Sequence, residues 1–213
     1  MIPTGDALVA ILNELRPTKV DSWFFRMVSP QWIKTLDSPE GARIRGGRYN
    51  PPLQLAERTC GIPGGFGYLY TSTHPITCLF ECRHLRRGLG NKPQTTPVEP
   101  TLLVTFIAES DRVLDLRDEE NQKKLGLTKD ELIDLDQRST FNARGQLTAL
   151  QQLGTAIYNI GRFSGILAPS RYTDMVGSDS FDFLPDQVKP KVQDVENVLA
   201  RITLADPAIR VSG

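Results

Sequence analysis

The run TLLVTFIA at residues 101–108 limits most strongly how this chain folds. Apolar side chains at successive positions mark a buried strand, and a sheet with cover must be built around it. The cover comes from helices. Leu8, Ile11, Leu12 and Leu15 share one face of a short amphipathic helix, with Asp6 placed to cap it and Pro17 to close it. Leu147, Leu150, Leu153 and Ile157 mark a second such helix, and residues 188–202 show helical spacing at Val188, Val192, Val195, Leu199 and Ile202.

Between these, residues 23–28 (WFFRMV) read as a first strand with Arg26 inside it, and residues 68–71 as another extended segment. Residues 38–67 are rich in Gly and Pro, which predicts loops or short strands, with 61–67 as an insertion. Ser72, Thr73 and Pro75 supply helix-start chemistry for a helix over 75–87 carrying Cys78, Glu81 and Cys82. Three prolines make 91–100 a connector. Residues 115–144 form a polar helical excursion with a Thr128…Glu131 capping box, and 165–168 a short buried strand ending at Pro169–Ser170. Strands and helices mix without strict alternation, so the expected class is α+β.

A length of 213 residues fits one domain whose core needs no disulfide or structural metal. With Lys+Arg 25 against Asp+Glu 25, no general attraction to nucleic acid or anionic membrane is expected. No stretch has the apolar length of a membrane span, and Met1–Ile2–Pro3 opens no signal peptide. Cys60, Cys78 and Cys82 are an odd set, which points to a reducing compartment, so a cytoplasmic protein is expected.

Several motifs reduce to ordinary structure. The Gly61–Gly67 run precedes a strand and fits no phosphate-loop pattern. His74, Cys78 and Cys82 recur every four residues, but cysteines packing a helix into the core explain them better than a metal. A serine hydrolase triad is disfavoured, because Ser170 has no nucleophile-elbow context and only two histidines exist. Two features keep more content. Arg45–Gly–Gly–Arg48–Tyr49–Asn50 sets guanidinium and aromatic groups beside glycines that let a ligand approach the backbone, although alone it reads better as a solvated basic turn. Glu81 lies in an apolar helical stretch, and alone it is equally a partly buried carboxylate or an exposed one.

In order, the motifs WFFR (23–26), GGRYNPP (46–52), YLYTS (68–72) leading to LFE (79–81), RVLDL (112–116) and LG (153–154) with GILAPS (165–170) resemble the RES domain, named for its Arg, Glu and Ser. The resemblance spans roughly residues 23–183 and implies an ADP-ribosyltransferase-like mixed sheet core with peripheral helices. On it, residues 1–20 form an N-terminal helical extension and 21–213 the RES domain, with the excursion at about 115–146. The activity implied is that of a toxin-type enzyme cleaving the nicotinamide–ribose bond of NAD⁺, with water or inorganic phosphate as acceptor. Two alternatives stay open: a mono-ADP-ribosyltransferase acting on a protein, and a non-catalytic nucleotide-binding module.

The resemblance further implies Glu81, Arg48 and Ser170 as catalytic residues, and Arg26, Tyr49 and Tyr70 as substrate-binding ones. Glu81 would meet the ribose and its developing positive charge, Arg26 and Arg48 the phosphates and ribose, Tyr49 or Tyr70 the nicotinamide side. NAD⁺ is then substrate, not cofactor, phosphate a co-substrate, and no metal is required. The implied partner is an Xre-type antitoxin, with no direct nucleic-acid or membrane contact; a homo-oligomer stays open. Departures from the family pattern are the long 51–67 segment, the 115–146 excursion, and the lack of a clear asparagine in 178–183.

Overall fold

The computed structural model describes residues 2–82, 85–87, 93–95, 101–133, 138–172 and 179–197. In chain order the elements are α1 (Gly5–Glu14), β1 (Thr18–Val28), a 3₁₀ turn (Pro30–Thr35), α2 (Glu40–Arg45), α3 (Leu53–Cys60), β2 (Leu69–Ser72) and α4 (Pro75–Glu81). They continue as β3 (Leu85–Arg87), β4 (Pro93–Thr95), β5 (Leu102–Asp115), α5 (Glu119–Leu125), α6 (Lys129–Ile133), α7 (Arg138–Ala143), α8 (Ala149–Ile160), β6 (Gly165–Pro169), β7 (Asp179–Phe183) and β8 (Lys191–Asn197).

The expected buried strand is the spine of the sheet. Strand β5 pairs antiparallel with β1 from Thr18↔Val113 to Val28↔Leu102. Its other edge takes β8 along residues 102–107, then β6 in parallel along 113–115. Strand β6 pairs with β7, β7 with β2, and β2 returns to β1 at Phe25↔Ser72. Five strands therefore close into a ring, β1–β2–β7–β6–β5, with β8 outside it.

Every ring strand contributes to one apolar cluster, including Phe24, Leu69, Phe106, Leu167, Phe181 and Phe183. Burying a side chain of this size contributes roughly 1.5–3 kcal/mol, so closure is the main gain of the sheet. A second cluster lies under the helices and joins Leu8 and Leu12 of α1, Leu125 of α5, Leu132 of α6 and Leu153 and Ile157 of α8 to Tyr49, Tyr68 and Ile166. Helix α1 thus packs in the same core as the rest, and β1 begins inside the expected 1–20 extension.

Local chemistry explains the boundaries. Helix α8 starts on a capping box in which Gln151 N–H donates to Thr148 Oγ1 and Thr148 N–H donates to Gln151 Oε1. The expected Thr128…Glu131 box is formed in the same reciprocal way. Helix α4 follows His74, whose Nδ1 accepts the Ile76 N–H at 3.2 Å, with Pro75 in the first turn.

Four expectations are corrected. Asp6 lies inside the first turn of α1, where its charge faces the positive helix end, and Thr4 holds the cap position. The helix expected over 75–87 stops at Glu81, and 85–87 is a strand paired with 93–95. The Gly/Pro-rich 38–67 stretch holds two short helices, α2 and α3; Gly61 ends α3 at φ +64°. The tail is extended over Lys191–Asn197, because β-branched Val192 and Val195 serve a strand against Phe106 and Val104 better than a helix. Residues 198–202 of that expectation lie outside the described residues. No helix among the described residues is long and apolar enough to cross a membrane.

Candidate functional site

Where β1, β2 and β7 meet the turn after α2, a cleft of about 540 Å³ opens. Its walls carry Arg26 of β1, Arg45, Gly46, Gly47 and Arg48 at and after the end of α2, Tyr70 of β2, Glu81 of α4, Arg171 and Tyr172 after β6, and Ser180 and Asp182 of β7. Strand alternation supplies the β2 and β7 residues. Leu69, Phe181 and Phe183 point into the ring, so Tyr70, Ser180 and Asp182 point the other way, toward the cleft. Four guanidinium groups face two carboxyls, a balance that favours an anionic ligand.

Glu81 ends α4 as an exposed residue, which settles the open alternative from sequence. Its carboxylate is nonetheless held. Ser170 Oγ donates to Oε1 at 2.8 Å, and Ser72 Oγ to Oε2 at 3.5 Å. Ser170, 2% exposed, also accepts the Tyr172 N–H at 3.3 Å, so it ties the chain after β6 to the acid. Two hydroxyls, one ending β2 and one just after β6, thereby fix the direction of one carboxylate, as a positioned charge requires.

The Arg48 turn is locked from several sides. Gly47 N–H donates to Asn50 O at 2.8 Å, and Asn50 Nδ2 to Ala42 O at 2.8 Å. Gln151 Nε2, buried in α8, donates to both Gly47 O and Asn50 O at 3.2 Å. Tyr70 Oη donates to Asn50 Oδ1 and accepts the Tyr49 N–H, each at 2.9 Å. Glycine is required at 47, where a Cβ would stand 2.2 Å from Tyr70 Oη. Gly154 plays the matching part on α8, where a Cβ would meet Tyr49 O at 1.9 Å. From Gly47 to Asn50 the segment is therefore a built, buried turn, while Arg45 at its start is exposed.

The two sequence-selected arginines are treated differently. Arg26 Nη1 donates to Leu36 O and Ser38 O at 3.1 Å, which ties the segment before α2 to β1. Burial lowers its pKa to about 10, against the weaker pull of Cys82, Asp37 and Cys78. Arg48, 8% exposed, donates from Nη1 to Ser180 Oγ at 3.2 Å. Burial works against its charge, but Tyr49, Asp182 and Glu81 outweigh that and raise its pKa.

The structure brings Arg26, Arg48, Tyr70 and Glu81 together around the cleft, with Ser170 bonded to Glu81. Tyr49 departs from expectation. Its ring is fully buried in the helix-side core, edge-on to Tyr68 at 6.0 Å between centroids, and it is not among the lining residues. Its contribution is made through Arg48, which lies 5.9 Å from its ring centre. The 51–67 segment is α3 plus a loop that buries Ile62 and Phe66, and no described residue of 115–146 lines the cleft.

Sequence reasoning named Arg45 and Ser72 within motifs without assigning them a role, and missed Gln151, Arg171, Ser180 and Asp182. The alternation in DSFDF (179–183) was the available signal, since it places a serine and an aspartate on the face opposite two phenylalanines. Asp182 is 1% exposed, and burial pushes its carboxyl up to about 7, with nearby Glu81 adding to the effect and Arg48 opposing it. Among the described residues no group of three or more His, Cys, Asp or Glu is arranged to hold a metal ion.

Comparison with known proteins adds to this geometry. The family model of the RES domain matches residues 24–181. Comparison with curated proteins finds no match. Among solved structures, that of the M. tuberculosis MbcT–MbcA toxin–antitoxin complex contains a similar chain, at a TM-score of 0.62 and 18% identity. The match covers 95% of this chain and 99% of that one, so the α+β architecture is shared essentially from end to end.

Proposed function

This chain belongs to the RES-domain family, and from that premise we propose that it is an NAD⁺-consuming toxin-type enzyme that breaks the nicotinamide–ribose bond. The observation that carries the reading is Glu81, a carboxylate aimed by Ser170 and Ser72 in a cleft otherwise rich in guanidinium groups. Arg48, with Arg26 beside it, would hold the pyrophosphate, and Tyr70 would border the nicotinamide.

The C–N bond breaks with its electron pair leaving on the ring nitrogen, so nicotinamide departs neutral and no general acid is needed. Positive charge then sits on the ribose, as in glycoside cleavage, and Glu81 stabilises it. An oxygen of water, which gives up a proton to solvent, or an already anionic oxygen of inorganic phosphate then bonds the anomeric carbon. The likeness to a chain of a toxin–antitoxin complex supports a protein antitoxin as partner, of the Xre type that the family resemblance implies.

Nicotinamide release by purified protein, with and without inorganic phosphate, tests the reading. Phosphate-dependent release yielding ADP-ribose-1″-phosphate identifies a phosphorylase, and free ADP-ribose without phosphate a hydrolase. Absence of release in both overturns the proposed reaction.

A further inference from the structure

At the floor of the cleft, Asp182 presents a carboxyl that the roles above do not use. It is 1% exposed, and its Oδ2 has no hydrogen-bond partner among the described residues. The residue also lines the cleft, so its carboxyl borders whatever binds there, with Oδ2 itself lying just beneath the surface. A buried acceptor left unsatisfied costs stability, and such a cost is retained where a ligand completes the bond.

The surroundings decide in which form it waits. Arg48, whose guanidinium reaches Ser180 two residues away on β7, favours the ionised form. Burial and Glu81 favour the neutral one, while the Thr71 N–H and the Ser180 hydroxyl favour the anion. The phenols of Tyr49, Tyr68 and Tyr70 also feel its charge, and all three stay protonated because burial raises them well above the usual range. Its partner across β6 is Ile166, which has nothing to titrate. The balance pushes the pKa of the carboxyl up to about 7, which divides it between both forms at neutral pH.

We propose that Asp182 is a ligand-binding residue of the cleft that takes up one proton when a phosphate-bearing ligand settles on Arg48, and then donates its O–H to a phosphate oxygen. The inference rests on the reading of the cleft as a site for such a ligand. The proton comes from solvent, and no bond other than O–H is made. Ligand negative charge near the floor disfavours a second anion, and neutralising Asp182 leaves the whole of the Arg48 charge to the ligand. Affinity must then fall as pH rises through the free carboxyl's range, by about tenfold from pH 6 to pH 8.

The test is calorimetric titration of the protein with two oxyanions that do not themselves titrate near neutral pH, ADP-ribose and sulfate. Each is run at pH 7.5 in buffers of different ionisation enthalpy, which reads protons taken up per ligand bound. Wild type should take up a substantial fraction of one proton, and Asp182→Asn close to none, with affinity that no longer changes between pH 6 and pH 8. Uptake with sulfate but no binding of ADP-ribose would sink the NAD⁺ reading and leave the proton linkage standing. Binding without uptake in wild type, uptake unchanged in Asp182→Asn, or no binding of either anion overturns the proposal. Infrared difference spectra of wild type alone give an independent measure, since a protonated-carboxyl band must grow when ligand is added.

Discussion

Strand β7 has two faces that are equally dry and chemically opposite. Phe181 and Phe183, both fully buried, look into the ring, while Ser180 and Asp182, 3% and 1% exposed, look into the cleft. Burial is therefore no guide to purpose here. The inner face gains from every contact, because apolar surface leaves water. The outer face retains a carboxyl with an oxygen unbonded among the described residues, next to a buried guanidinium, which a sequence selected for stability alone would not keep. Stability and chemistry lie back to back on five residues.

The comparison breaks most visibly if the inner face is emptied. Phe181→Ala should lower unfolding free energy by about 3–5 kcal/mol, measured by urea denaturation, because it removes a ring packed against Phe24 at 4.5 Å and Phe183 at 5.2 Å. A loss under 1 kcal/mol would mean that the ring interior can collapse around the void.

Glu81→Gln should do the reverse. Turnover measured as nicotinamide release is expected to fall by about 10²–10³-fold, with Tm nearly unchanged. Near wild-type turnover would remove Glu81 from the chemistry.

Asp182→Asn sharpens the contrast, since a residue kept for the ligand weakens the free protein. The folded-state pKa is raised above the unfolded value, so stability is fully present below about pH 4 and declines as pH rises through about 7. The variant should therefore gain Tm over wild type at pH 8 and lose that advantage at pH 4. An offset independent of pH would show that Asp182 does not titrate in this range.

Gly47→Ala is expected to disorganise the Arg48 turn by driving a methyl group into Tyr70 Oη, raising KM for nicotinamide release by a larger factor than it lowers kcat. Thr148→Ala removes the side-chain half of a capping box and should cost about 1 kcal/mol in urea denaturation; turnover should not change, because the Thr148 backbone N–H that holds the Gln151 side chain remains.

How much was legible follows the same division. The spine strand, the helix starting at Thr148 and the excursion with its Thr128 box are written in local pattern, where side-chain period and capping chemistry act over a few residues. Helix α3 was not, since Pro51, Pro52 and Gly61 flank it so closely that punctuation outweighs an eight-residue helix. The tail strand misread as a helix has valines at 188, 192 and 195, a helical spacing whose odd last step breaks strand alternation, and the strand is made by pairing with the free edge of β5 across a register shift opposite Thr105 and Phe106. At the cleft, motif order located Glu81, Arg48 and Ser170, but Tyr49 turned inward because Gly154, distant in sequence, receives its backbone. Gln151 and Asp182 carry no motif; what they do depends on partners that topology alone supplies.

Ring closure has a consequence in time. The earliest strand, β1, finds most of its partners in β5, and β2 must wait for β7 at residues 179–183. Such non-local pairings are slow to form, and during synthesis they cannot form until the later strands have been made. The cleft takes Arg26 from the first of these strands and Asp182 from nearly the last. A ribosome-bound fragment lacking β7 therefore holds no cleft, so binding capacity arrives in one step, late in the chain's emergence.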